Sequence, residues 1–357
     1  MVDRPIGGVH YPRTYAELLA WFSTDADCLD YLDWLRWPGG FTCPKCGSGG
    51  GWLVGDGRRM CSACSKRISA TAGTVFDRTR TPLTIWFAAA WLLTSQKDGV
   101  SALGLQRVLG IGSYQTAWSM LHRLRQAMVR PGRDRLSGVV EMDETMIGGV
   151  RPEGKGGRTP GEKILVGIGI ERRKPRGFGR CRLAVLPDAS TESLAAFLAA
   201  YVEPGSTVVT DGWQRYKGAL AGTYDHERYV APGRLAHELL PGVHRVASLL
   251  DRWLLSTHQG AVEGEHIQGY LDEFSFRFNR RHSRARGLLF YRLISQAVLH
   301  GPSGTESWSS TPGQRSVERP HRATAATRPA WSHHLLVDHG EGRSQDPHIL
   351  WVLRLNG

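Results

Sequence analysis

The sequence predicts a multidomain fold: short helices and a cysteine-rich ribbon, then a helix-turn-helix-like region, then a mixed α/β domain. Three observations predict it. Two C-x2-C pairs fall in one short segment, helical apolar periodicity follows, and apolar strands then alternate with helices. The predicted segments are N-terminal helices (1–40), the ribbon (41–76), a helical region (77–132), the α/β domain (137–300) and a disordered tail (301–357).

The composition excludes several classes of protein. Hydrophobic residues make up 41% of the 357 residues and charged residues 22%, as in ordinary globular proteins. The N-terminus lacks a signal-peptide pattern, and the longest apolar run, residues 85–93, is too short to span a bilayer. We therefore expect a soluble intracellular protein. Lys and Arg outnumber Asp and Glu by 45 to 33, which suits a polyanionic partner, although many basic proteins bind no nucleic acid.

Helical periodicity predicts two groups of helices. Residues 12–38 contain two short helices, the second capped by Thr24 or Asp25. Three more helices are predicted over residues 82–97, 102–109 and 114–128, with a glycine-containing turn before the third, as in a helix-turn-helix. On that third helix some polar residues either face a DNA groove or cover a solvated surface: Gln115, Ser119, Arg123 and Arg125.

The pattern changes after residue 137. Strands are predicted over residues 139–143, 164–170, 181–186 and 206–210, and helices over 193–201, 243–255 and 265–278. This order indicates a mixed α/β domain. Beyond about residue 302 apolar periodicity disappears, and the composition favours disorder.

Four of the six cysteines form two C-x2-C pairs separated by 14 residues: Cys43, Cys46, Cys61 and Cys64. Four thiolates in this spacing complete a tetrahedral zinc shell. Two disulfides or a redox C-x-x-C are the alternatives, and a reducing compartment disfavours them. A four-cysteine site has no open position, so the zinc would be structural. Cys28 and Cys181 lie in apolar contexts and are predicted core residues. The basic neighbours Lys45 and Arg67 either contact phosphates or are solvated surface.

Two aspartates follow apolar strands. Asp143 ends the strand at 139–143, and Asp211 follows the strand at 206–210. Carboxylates beside a core are costly unless paired or metal-bound, so one interpretation is a site for divalent cations that act on a phosphodiester. The alternative is that each caps a turn, for which Asp211-Gly212 is a strong signal. His244, 33 positions after Asp211 on a predicted helix, is either a third ligand or a cap or surface group.

At this point the sequence resembles bacterial insertion-sequence transposases with an N-terminal zinc ribbon and a ribonuclease-H-like, DDE-type catalytic domain. The resemblance spans about residues 8–300. Its motifs are "YPRTYAELLAWFSTDADCLDYLDWLRWPGGFTCPKCG", "MDETMIGG", "VVTDGWQRY", "LPGVHRVASLLDRWLLSTHQGAV" and "YLDEFSFRFNRR".

The resemblance implies Asp143, Asp211 and His244 as catalytic ligands of Mg²⁺ or Mn²⁺. It implies cleavage of element ends and strand transfer into target DNA by a homo-oligomer, in the bacterial cytoplasm at the nucleoid. Seven residues after His244 the family usually carries Lys, whereas this sequence has Asp251. In "FRFNRR", the residues Arg277, Arg280 and Arg281 either clamp phosphates or flank core aromatics. The alternatives are a catalytically inactive DNA-binding descendant and a zinc-ribbon regulator.

Overall fold

The computed structural model describes residues 6–130, 132–148, 163–173, 175, 177–229, 239–259 and 264–301. Its helices are α1 (Tyr15–Trp21), α2 (Asp25–Arg36), α3 (Leu83–Ser95), α4 (Ala102–Leu109), α5 (Tyr114–Gln126), α6 (Thr191–Tyr201), α7 (Gln214–Leu220), α8 (Pro241–His258), α9 (Ile267–Phe278) and α10 (Arg286–Ala297). Its strands are β1 (Gly51–Leu53), β2 (Arg59–Cys61), β3 (Arg67–Ile68), β4 (Val139–Ile147), β5 (Ile164–Arg172), β6 (Phe178–Val185), β7 (Thr207–Thr210) and β8 (Asp225–Arg228).

Apolar residues from distant parts of the chain form a helical core. The rings of Phe22, before α2, and Phe87, on α3, lie 4.7 Å apart, and Phe290 of α10 lies 5.6 Å from Phe87. Thr24 begins α2 as the N-cap, in a reciprocal capping box with Asp27. The predicted helices 82–97, 102–109 and 114–128 correspond to α3, α4 and α5. Helix α10, which was not predicted, packs against α3 and completes this core.

Strands β1 to β3 form a small antiparallel sheet that carries the cysteines. At Gly51 a Cβ atom would lie 2.5 Å from the Met60 carbonyl oxygen and 2.7 Å from the Phe41 ring, so only glycine fits there. The Arg59 guanidinium donates to both carboxylate oxygens of Asp33 on α2, at 2.7 and 2.6 Å. This bidentate pair ties the ribbon to the preceding helix.

The second sheet has five strands in the order β6-β5-β4-β7-β8. Strand β5 runs antiparallel to both β4 and β6, whereas β7 runs parallel to both β4 and β8. Helices flank both faces: α8 and α9 cover one apolar layer, and α6 and α7 cover the other. The mixed sheet with flanking helices is thus confirmed, and β4 lies at its centre.

A buried ion pair joins the helical region to this α/β layer. Nε of Arg125 on α5 donates to Glu273 on α9 at 2.8 Å, and the two side chains are 1% and 0% exposed. The Arg125 guanidinium also lies 4.0 Å from the centre of the Tyr270 ring. Burial removes the hydration of both charges, so each depends on the other for stabilisation, and removing one leaves the other uncompensated.

Glu273→Gln is therefore expected to lower the free energy of unfolding by about 3–5 kcal/mol, because it leaves Arg125 buried without a counter-charge. Urea unfolding followed by circular dichroism measures the change. The double variant Arg125→Leu, Glu273→Met is expected to recover most of the loss. Asp56→Asn breaks an exposed pair with Arg58 and serves as the control, with almost no change expected. Equal stability of Glu273→Gln and wild type would contradict this account.

The structure does not test two of the sequence predictions, the disordered tail and the segment boundaries. The predicted tail, apart from residue 301, lies outside the described residues, and the boundaries between the predicted segments stay predictions. In the part of the chain that the structure describes, no helix combines the length and apolar content needed to cross a bilayer.

Candidate active site

The two predicted aspartates occupy equivalent positions on neighbouring parallel strands. Val139 and Glu141 of β4 pair with Thr207 and Val209 of β7. The same offset places Asp143 opposite Asp211, directly after β7 ends. Neighbouring strands lie about 4.8 Å apart, and residues two apart on a strand share a face. Glu141 and Val209 face α8, and each aspartate comes two residues later on the same face of the sheet. Both aspartates are half-buried.

Backbone amides orient both carboxylates. The Glu144 N–H donates to Oδ1 of Asp143 at 2.9 Å, and the Trp213 N–H donates to Oδ1 of Asp211 at 3.0 Å. Gly212, which lies between Asp211 and Trp213, has a φ of +84°, a backbone conformation that favours glycine. Asp211 thus stabilises a turn, as one interpretation of the sequence held, and the same turn fixes its carboxylate beside β4.

A buried tyrosine lies beside this acidic group, which sequence reasoning missed. The Tyr216 hydroxyl on α7 donates to Oε1 of Glu144 at 2.5 Å. Burial raises the pKa of Tyr216 well above its usual value, and the negative charges of Glu144, Asp143 and Asp211 raise it further. All three carboxylates are therefore near one phenol. The only sequence signal for Glu144 was its place in the "MDE" motif.

Glu141 anchors the start of α8 against β4. Its carboxylate is fully buried, accepts the Gly242 and Val243 amides at 2.7 and 3.1 Å, and pairs with Arg172 at 2.5 Å. A Cβ at position 242 would lie 2.6 Å from the Phe178 ring and 2.8 Å from Glu141, so glycine is required there. An acidic residue inside the apolar run 139–142 was the signal that could have identified this cap.

His244 lies in the first turn of α8, just after the amides that Glu141 holds. The side chain is half-buried, and its Nε2 is buried with no hydrogen-bond partner among the described residues. Among the described residues, the four ribbon cysteines form a compact group of potential metal ligands, and Asp143, Asp211 and His244 do not form another. The structure therefore brings the aspartates into register and places His244 on the helix covering that face, without a closed three-residue cluster.

Asp251, two turns along α8, is exposed, and partial burial of its carboxylate raises its pKa.

The four ribbon cysteines converge as predicted. Their sulfur atoms all lie within 4.8 Å of one another, with Cys43 to Cys64 and Cys46 to Cys61 both at 3.7 Å. Each knuckle closes on a left-handed residue, which is Gly47 in the first and Ser65 in the second. Hydrogen bonds from the backbone and side chain of Ser48 lower the pKa of Cys46 to about 6, which favours the thiolate that a metal binds. The cluster supports zinc binding. As predicted, Cys28 and Cys181 are buried elsewhere.

The predicted DNA-contacting residues divide into two groups. Lys45, Arg67 and Gln115 are exposed, although Arg67 lies 3.5 Å from Asp56. Ser119 is half-buried. Arg123 is also half-buried and donates to the carbonyl oxygens of Val75 and Asp77, each at 3.3 Å. Only the exposed residues of this set are available to a phosphate without rearrangement.

The prediction that Arg125 contacts DNA is wrong, since the residue is buried and bound to Glu273. In "FRFNRR" the guanidinium groups also bind inside the protein. Arg277 donates to the Gln96 and Lys97 carbonyl oxygens, and Arg281 donates to those of Gly179 and Phe178. Arg280 donates to the Phe276 carbonyl oxygen and lies 3.8 Å from the centre of that ring. This matches the alternative that these arginines flank core aromatics.

Comparison with known proteins finds two segments that match transposase domains. A family model described as an ISXO2-like transposase domain matches residues 135–279, and a model described as a transposase zinc-ribbon domain matches residues 23–67. Both segments are thus similar to domains of insertion-sequence transposases. A protein of Halobacterium salinarum, described as an uncharacterized protein in transposable element ISH50, is 28% identical over 278 residues. The alignment covers 72% of this chain and 91% of that protein.

The two transposase matches coincide with the structural features described above. The transposase-domain match contains Asp143, Asp211 and His244, together with the five-stranded sheet. The zinc-ribbon match contains the four cysteines and also α2, which the Arg59–Asp33 pair joins to the ribbon. In this chain the ribbon and the helix before it are thus joined and lie within one domain match.

Proposed function

We propose that this protein binds the ends of its insertion element and catalyses their cleavage and strand transfer into target DNA. The observation that carries the proposal is the shared register of Asp143 and Asp211 on neighbouring parallel strands, inside the segment that matches a transposase domain. We further propose that the α/β domain has the ribonuclease-H-like fold. The strand order supports this, with an antiparallel β4–β6 meander extended in parallel by β7 and β8.

The donor set fits a divalent cation. Carboxylate oxygens suit Mg²⁺ and Mn²⁺, and the buried Nε2 of His244, with no partner among the described residues, is an available third donor. Asp143, Asp211 and His244 would hold the ion, which when bound supplies Lewis-acid activation of water and charge stabilisation at the phosphodiester.

The residues around this donor set position it. The Glu144 and Trp213 amides hold the two carboxylates in fixed orientations. Glu141 fixes the first turn of α8, from which His244 projects. Preorganised groups of this kind need little rearrangement during the reaction, which is where much of an enzyme's rate enhancement arises. We propose a positioning role for Glu141 on this basis.

We propose zinc as the structural metal of the four-cysteine cluster, and DNA at the nucleoid as the partner. The net charge of +12 and the exposed Lys45, Arg67 and Gln115 support contact with DNA. Element ends come in pairs, so we also propose a homo-oligomer on DNA, in which two chains hold two ends.

The deciding experiment incubates the full-length protein with labelled DNA that carries the native element ends. Cleavage and strand transfer are expected with Mg²⁺ or Mn²⁺, and neither is expected with EDTA or with scrambled ends. Specific binding of the ends without cleavage in either metal would replace the proposal with a DNA-binding function. Absence of both binding and cleavage would overturn it in favour of the zinc-ribbon regulator.

Asp251→Lys is expected to strengthen binding to element-end DNA by roughly threefold to tenfold and to steepen its salt dependence, because an exposed negative charge becomes a phosphate contact. Fluorescence anisotropy at several salt concentrations measures the change. Asp251→Asn separates the loss of repulsion from the gain of a contact, and Asp225→Lys, exposed on β8, is the control for added charge alone. Equal affinity and activity of wild type and Asp251→Lys would show that this transposase tolerates the aspartate.

A further inference from the structure

A second site is formed by arginines at the β6 edge of the sheet, away from the aspartates. A cavity of about 450 Å³ opens between the segment after α5, strand β6, and helices α9 and α10. Six arginines line it: Arg130, Arg133, Arg180, Arg182, Arg280 and Arg292. Strand β6 is an edge strand, two positions from β4, and the lining includes none of Asp143, Asp211 and His244.

The positive charge of this cavity is only partly balanced. Its two carboxylates, Asp134 and Asp272, are already engaged. Asp134 lies 3.3 Å from Arg130 and 3.6 Å from Arg180, and Asp272 lies 3.9 Å from Arg133. For the other three arginines, Arg182, Arg280 and Arg292, the described residues provide no ion pair. Glu171, just outside the lining, also pairs with Arg180 at 2.6 Å, so six guanidinium groups meet three carboxylates.

Two of these arginines are held deep in the wall. Arg182 is 6% exposed, and its terminal nitrogens donate to the carbonyl oxygens of Cys181 and Asp134 at 3.0 and 2.6 Å. The Nε atoms of both Arg182 and Arg280 are buried with no partner among the described residues. A buried cation with an unsatisfied donor is costly, so such groups normally face an anion.

The arginines also lie close enough to repel one another. Burial, together with the positive charges of Arg133 and Arg180, lowers the pKa of Arg182 to about 10. Burial, together with the positive charges of Arg292, Arg182 and Arg130, likewise lowers the pKa of Arg280 to about 10. Both groups stay positively charged at neutral pH, and an anion between them would relieve the repulsion.

We propose that this cavity binds a phosphate-bearing ligand. A phosphate group presents several acceptor oxygens and more than one negative charge, and guanidinium groups match it through paired N–H donors. The ligand is either a free phosphate compound or a backbone phosphate of DNA, and both offer the same chemistry to the cavity. The inference does not depend on catalysis at Asp143.

The test uses full-length, zinc-loaded protein and two probes. Isothermal titration with pyrophosphate measures the first arm, and anisotropy of a labelled DNA duplex measures the second. Arg292→Glu and Arg280→Gln alter the cavity; Arg292 is exposed on α10, so its variant should fold normally. Arg284→Glu is the matched control, since Arg284 is exposed and lies outside the cavity lining.

Pyrophosphate is expected to bind with one site per chain, and Arg292→Glu is expected to weaken that binding about tenfold or more, with Arg284→Glu within twofold of wild type. If the phosphate comes from DNA, both cavity variants weaken duplex binding and pyrophosphate competes with the duplex. If it is a free compound, duplex binding by the cavity variants matches the control. The proposal is overturned if wild type binds no pyrophosphate and the cavity variants bind the duplex as the control does. It is also overturned if Arg284→Glu weakens pyrophosphate binding as much as Arg292→Glu.

Discussion

Asp143→Asn is expected to reduce cleavage of element-end DNA by at least about 1000-fold while leaving DNA affinity and folding nearly unchanged. The asparagine keeps an oxygen that accepts the Glu144 N–H, so the local backbone is preserved. The negative charge that holds a divalent cation is lost, and such electrostatic stabilisation is usually the largest contribution to catalysis. Single-turnover rates with labelled ends, measured in Mn²⁺ and in Mg²⁺, give the size of the effect.

Asp211→Asn should behave in the same way, because the two carboxylates share one register. Asp225→Asn is the matched control: Asp225 is an exposed aspartate that pairs with Thr207 at the opposite end of β7 from Asp211. Its rate is expected to stay within twofold of wild type. An Asp143→Asn protein that cleaves within tenfold of wild type would refute the assignment of this carboxylate, even if the protein proved to be a transposase.

The proximity of Asp143 and Asp211 could be predicted in part from the sequence. The sequence placed each aspartate at the end of an apolar strand, and that pattern identified both, although β4 continues past Asp143 to Ile147. The strands' adjacency and common offset depend on pairing between segments 68 positions apart, which periodicity does not encode. The position of His244 relative to them depends on how Glu141 binds the start of α8, and that contact spans more than 100 residues.

The sequence was a poorer guide to which charged residues are exposed. The sequence analysis placed Arg125 either facing a DNA groove or on a solvated surface, and both require exposure, whereas the residue is buried. Its counter-charge, Glu273, lies 148 positions away, and only the tertiary fold shows that they meet. For the same reason α10 was missed: its Phe290 packs against Phe87, which lies 203 positions earlier in the chain. Local patterns predicted element types well, but they could not assign partners to buried charges or to terminal helices.

Removal of the metal from the four-cysteine cluster is expected to unfold the ribbon while the helical core stays folded. The ribbon has almost no core of its own: its buried apolar residues are Phe41, Cys43 and Cys61, and two of these are metal ligands. A structural zinc site contributes about 10–16 kcal/mol of apparent binding energy in small peptides, far more than such a core provides. The helical core instead contains large aromatic residues such as Phe22 and Phe87.

Hydrogen exchange after treatment with a strong chelator measures the effect. The Cys43 and Cys61 amides, bonded to the Ser48 and Lys66 carbonyl oxygens, are expected to lose protection, whereas amides in α3 should keep it. Cys64→Ser should lower the zinc content below one ion per chain, and Cys181→Ala, a buried cysteine outside the cluster, should leave it unchanged. Because Arg59 pairs with Asp33, loss of zinc should also loosen α2, so exchange at Asp33 would report how far the ribbon supports its neighbouring helix. Ribbon amides that stay protected without metal would show that the strands, rather than the ion, hold the cysteines together.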